Sequence, residues 1–213
     1  LGISGGDLSK ELKKKVEMIL AREKRMARSI ALKAIQPKPF SVWEVMIPVI
    51  FIMGYMRAKA DREVFTQNML FTKKMALEAT RDMIRENHTK AAVLMRIELQ
   101  TKELLATAPA GIYSDAIRQE QLREIDLLIE HYCKLIQAEG NDFASLVLSA
   151  YRSREDYTAF QQKLTAAERK VTRAARQTLK ARTDSKMVAR IEAATNQLRL
   201  KEVESIFSSD ARR

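Results

Sequence analysis

Two histidines, one cysteine, four prolines and six glycines are few for a chain of 213 residues. Each scarcity excludes something. Cys133, alone, cannot form an intrachain disulfide and gives no sign of an oxidising compartment. It lies in a helical apolar pattern, where a structural thiol is expected. A di-metal carboxylate bundle needs Glu-x-x-His on two helices, but Arg85 precedes His88 by three and Leu128 precedes His131 by three. CxxC, HExxH, GxSxG, Walker-type and dinucleotide glycine motifs are missing as well. The nearest thing to a reactive cluster is Glu130, His131 and Cys133, with Glu124 and Asp126 close in sequence. On a helix His131 points about 100° away from Glu130, so convergence would require other elements. No catalytic, metal-binding or cofactor-binding residue is predicted, no cofactor is implied, and no small-molecule substrate is indicated.

Scarce glycine and proline, with abundant strong helix formers, predict an all-α protein. Apolar spacing of three and four residues recurs through most of the chain, and no useful strand alternation interrupts it. The expected architecture is an antiparallel bundle of six or seven helices, the longer ones coiled-coil-like. Residues 1–6 read as a flexible leader and 7–39 as a basic amphipathic helix. Residues 40–57 form an apolar segment, and 58–213 the helical bundle. In the first helix Leu12, Val16, Ile19, Met26 and Ile30 make one stripe, interrupted by Glu23. From 58 to 107 one seven-residue series runs Leu70, Leu77, Ile84, Ala91, Glu98, Leu105 and a neighbouring one Met69, Ala76, Met83, Lys90, Ile97, Leu104, with Asn87-His88-Thr89 as the expected bend. Asp7 or Ser9, Ser114 with Asp115, Asn141-Asp142, Ser153, and Asp184 or Ser185 are the predicted helix caps, and 182–185 reads as a turn.

Charge is plentiful and uneven. Residues 1–60 carry +7, 61–110 carry +1, 111–160 carry −4 and 161–213 carry +7. Basic ends attract anionic lipid or nucleic acid. Lys13, Lys14 and Lys15 near the start, and the stripe Arg169, Arg173, Arg176, Lys180, are the candidate polyanion contacts. The stripe lacks interleaved aromatics, and no DNA- or RNA-binding motif surrounds it, so any nucleic-acid binding is expected to be nonspecific.

One long hydrophobic run stands out: FSVWEVMIPVIFIMGYM, Phe40 to Met56, with Glu44 its only ionisable side chain. Its 17 residues would span roughly 25 Å as a helix, short of a hydrocarbon core of about 30 Å. Pro48 lies inside it and both flanks are basic, which disfavours a span. A buried helix, a re-entrant or interfacial segment and a partner-docking element remain. Trp43, Val49, Ile50, Phe51 and Tyr55 are the candidate contacts to membrane or partner. The functional expectation is a non-enzymatic interaction or scaffold protein that binds a protein partner or itself. Its expected setting is cytoplasmic, with docking at an anionic membrane surface through residues 40–56. The alternative is a nonspecific nucleic-acid-binding protein using its basic terminal helices.

Overall fold

A computed structural model describes residues 5–34, 61–108, 113–179 and 185–210. These residues form seven helices and no strand: α1 (Gly5–Ala34), α2 (Asp61–Glu86), α3 (Lys90–Thr107), α4 (Asp115–Gln137), α5 (Phe143–Ala150), α6 (Arg154–Leu179) and α7 (Ser185–Asp210). The apolar stretch 40–56 lies outside the described residues, as do Lys180 and most of the 182–185 turn. Gly5 and Gly6, expected in the leader, already belong to α1.

Helix ends follow local side-chain chemistry. Ser114 accepts a hydrogen bond from the Ile117 amide at 3.3 Å and so starts α4. Asp142 and Ser145 form a reciprocal capping box at α5. The Asp156 amide donates to Ser153 Oγ at 3.1 Å at the head of α6. Between α2 and α3, Asn87 has φ of 53°, and the His88 amide donates to the Met83 carbonyl at 3.1 Å. That is the six-to-one bond of a Schellman stop, with Asn87 as the left-handed residue. Thr89 then caps α3.

The two seven-residue series fare differently across this stop. Before it, Leu70 and Leu77 are buried, as the seven-residue series predicts. After it, α3 buries Val93, Ile97 and Thr101, whereas Ala91 is exposed and Glu98 and Leu105 are not buried. The neighbouring series is buried on both sides of the stop, at Ala76 and Ile97.

α4 lies at the centre, with α1, α2, α3, α5 and α6 packed on it. Its buried positions come in adjacent pairs, Glu124/Ile125, Leu128/Ile129, His131/Tyr132 and Leu135/Ile136, so a wide face is inaccessible to water. The main core gathers Ile19, Leu77, Ile125, Leu128, Tyr132, Leu146, Tyr157 and Val203. A smaller cluster joins Ile30, Ala31 and Ala34 of α1 to Phe65 of α2 and Met187, Ile191 and Ala194 of α7. No described helix is long and apolar enough to cross a membrane.

Candidate functional site

The structure separates the residues that charge patterning groups together. Lys13 and Lys14 are exposed near the start of α1, and Lys14 Nζ reaches Asn141 at 3.4 Å. Lys15 is buried and donates to the Ile136 and Ala138 carbonyls at 3.0 and 2.8 Å, so it closes α4 and does not face a polyanion. Arg169, Arg173 and Arg176 lie on α6, with Arg169 paired to Glu192 at 3.3 Å. Thr178, two residues beyond Arg176, bonds Ser114 at the opposite end of α4 from Lys15. The two basic groups are thus roughly 20–30 Å apart along α4 and do not merge into one surface.

A different basic region is visible only in three dimensions. At the end marked by Ala34, Phe65 and Met187, α1 carries Arg28 and Lys33, and α7 carries Lys186. Val171 of α6 lines one cavity with Phe65 and Ile191, which brings Arg173 and Arg176 to the same end. Leu32 is 62% exposed among these cations.

Inside, a seam of buried charge crosses the helices. Arg22 donates to Glu202 through Nε at 3.1 Å and Nη2 at 2.6 Å, and to Glu23 through Nη1 at 2.7 Å. Tyr157 donates to Glu202 at 2.7 Å and accepts from Gln161 Nε2 at 2.7 Å. Further along, Arg199 forks onto Glu168 with two 2.8 Å bonds and also reaches Thr165 at 2.6 Å. Lys73 adds a 3.1 Å bond to Glu168, and Thr72 donates to Glu124 at 2.8 Å. Burial alone would raise the Glu168 carboxyl, but Arg199 and Lys73 hold it below the usual carboxylate range. Glu124, buried and near Glu168, is instead pushed up to about 7, against the pull of Lys73, Thr72 and Arg199.

The residual cluster does not converge. His131 is buried, with Nδ1 2.6 Å from the Tyr151 hydroxyl and its ring stacked on Phe160 at 4.0 Å. Burial, then the cations Arg22 and Lys73, keep its pKa well below normal. Glu130 is exposed and bonds Lys90 at 2.6 Å, while Cys133 is half-buried with its thiol pKa raised by burial. Among the described residues no His, Cys, Asp and Glu side chains assemble as a metal-ligand set.

The linear pattern did not reveal the buried seam. Its signal was charge inside apolar stripes: Lys73 lies between Leu70 and Leu77, and Glu124 between Ile117 and Leu128, at helical spacing. Comparison with protein-family models, with curated proteins and with solved structures finds no match for this chain.

Proposed function

We propose that this chain is a non-enzymatic helical interaction protein that docks by one end on an anionic membrane surface. One observation carries the reading. Ala34 and Phe65, on the two sides of the apolar stretch, belong to one cluster. The chain therefore leaves and re-enters the described helices at the same end, the end that carries Arg28, Lys33, Arg173, Arg176 and Lys186. A segment tethered at both ends to one basic surface enters a bilayer from one side only, so Trp43, Val49, Ile50, Phe51 and Tyr55 would insert without spanning. Cations near an anionic leaflet contribute about 1 kcal/mol each. The reading includes an antiparallel bundle with long, coiled-coil-like helices as the rigid body behind this end, and a protein partner or second copy on its flanks.

Flotation with phosphatidylserine vesicles tests it. The full chain should float at low salt. Val49→Asp with Phe51→Asp, and separately Arg28→Glu with Lys33→Glu, should each abolish flotation while leaving the helical circular dichroism intact. Sedimentation of the folded wild-type chain away from the vesicles would refute the reading.

The groove between α6 and α7 supports a second reading. It has a volume of about 610 Å³ and is lined by Arg169, Lys170 and Arg173. A nonspecific nucleic-acid contact there should weaken steeply with salt and be lost on reversing Arg169, Arg173 and Arg176 to Glu.

A further inference from the structure

A cavity of about 110 Å³ lies between α2, α4, α6 and α7, partly open to solvent beside the Arg169–Glu192 pair. Engineered apolar cavities of about 150 Å³ accept benzene, so this one suits a ligand of about four to six heavy atoms. One part of its wall is apolar: Phe65, Met69, Val171 and Ile191. Three lining threonines contribute little polarity, because Thr165, Thr172 and Thr195 each donate their hydroxyl to the carbonyl four residues back. The other part holds Asn68, Thr72, Lys73, Glu124, Glu168 and Asn196, with Arg169 and Glu192 at the mouth. Asn68 Nδ2 is buried and has no acceptor, which a folded protein rarely tolerates. Lys73 is 5% exposed and has Glu168 as its ion-pair partner. Its ammonium has three protons, and a single bond, to Glu168, accounts for one of them. Asn68 Nδ2 and the Lys73 ammonium are therefore donors with bonding capacity left at this cavity.

A single carboxylate is the acceptor that suits both these donors and the apolar wall.

We propose that this cavity binds a short-chain monocarboxylate, its carboxylate against Asn68 Nδ2 and Lys73 and its tail against Phe65, Met69, Val171 and Ile191. Anion uptake then competes with ionisation of Glu124, and a proton enters with the ligand. The groups facing Glu124 are Lys73 and Thr72 from α2, Glu168 from α6 and Arg199 from α7, with Tyr132 on its own helix; Glu23 of α1 acts on Lys73. Because burial raises Glu124 toward neutrality, protonating it during binding is accessible near pH 7.

The test is a titration of the full chain with butyrate at pH 6 and pH 8, followed by the methyl NMR resonances of Val171 and Ile191 and by calorimetry in two buffers of different ionisation enthalpy. Saturable shifts, net proton uptake and affinity at least about tenfold weaker at pH 8 are expected. Asn68→Leu should weaken butyrate at least about tenfold without lowering the melting temperature, since it removes an unpaired donor. Asn68→Ala replaces it should leucine not fit. Butylamine should leave both resonances unmoved, and octanoate should bind more weakly than butyrate. No saturable shift with butyrate would overturn the proposal. So would tighter binding of butylamine, tighter binding of octanoate, or unchanged affinity in folded Asn68→Leu.

Discussion

The Lys15 ammonium of α1 sits 2.8 Å from the Ala138 carbonyl and closes the C-terminus of α4 from outside the helix. A second bond, 3.0 Å to Ile136, satisfies another of the carbonyls that a helix end leaves unpaired. Positive charge at that end also complements the helix dipole. Lys15→Met keeps the apolar stem but leaves two buried acceptors without a donor. We expect a loss of about 1–3 kcal/mol in urea unfolding. Lys13→Met, at an exposed position nearby on the same helix, should change stability by no more than about 0.5 kcal/mol. Equal effects at the two positions would remove Lys15 from this role.

Glu168 compensates two buried cations at once, Arg199 and Lys73. Replacing it with Gln preserves shape but leaves both charges facing a neutral amide. Breaking a buried pair from one side costs about 3–5 kcal/mol, and Glu168→Gln should fall at or above that range in denaturant unfolding. The exposed Arg169–Glu192 pair should cost no more than about 1 kcal/mol when broken by Arg169→Gln. Glu168→Met combined with Lys73→Met should recover part of the loss, because it removes the desolvated charge together with its partner. A double variant less stable than Glu168→Gln would contradict this account.

Glu124 and His131 pull stability in opposite directions with pH. Burial raises Glu124 to about 7, so the folded chain keeps a proton that the unfolded chain releases near pH 4.3. That contribution is full below the unfolded value and is lost as pH rises through about 7. His131 is lowered by burial, so its contribution is full above about 6.5 and is lost as pH falls toward its folded value. Between about pH 4.5 and 6.5 the two oppose each other. Glu168, held low, adds its own loss only under more acidic conditions. Glu124→Gln should therefore make the melting temperature fall more steeply from pH 7 to pH 5 than in the unaltered chain. His131→Phe should make it fall less steeply or rise. Parallel melting profiles for all three proteins would rule out both assignments.

Element boundaries were legible because the residues that set them act locally. Ser114, Asp142 and Ser153 cap the helices they precede, and Asn87 stops α2 where the polar triplet suggested a bend. What lay beyond the sequence depended on partners distant in the chain. Lys15 belongs to a lysine run and reads as solvated, yet its acceptors are more than a hundred residues away. Arg22 and Glu202, or Lys73 and Glu168, become partners only when their helices pack. Of the two seven-residue series, the one through Ala76 and Ile97 stays buried across the Asn87 stop, and the one through Leu70 and Leu77 does not. The cavity had no linear signature, since its lining comes from four helices.

Gly140 and Asn87 both have positive φ, yet they should respond differently to substitution. Gly140 has φ of 151°, a region that side chains rarely enter. A Cβ built there would meet Ser145 Oγ at 2.5 Å and the Leu146 nitrogen at 2.9 Å. Ser145 is half of the capping box with Asp142, so the methyl group would also push apart the bonds that start α5. Backbone strain of about 1–3 kcal/mol and loss of a cap worth about 1 kcal/mol both fall on Gly140→Ala. Asn87, at φ of 53°, occupies the ordinary left-handed well that asparagine tolerates and glycine prefers. Asn87→Gly should leave urea stability unchanged or slightly raised, and Asn87→Ala should lower it by about 1 kcal/mol. If Gly140→Ala cost no more than Asn87→Ala, the tight approach of the 138–142 turn to α5 would not constrain this glycine.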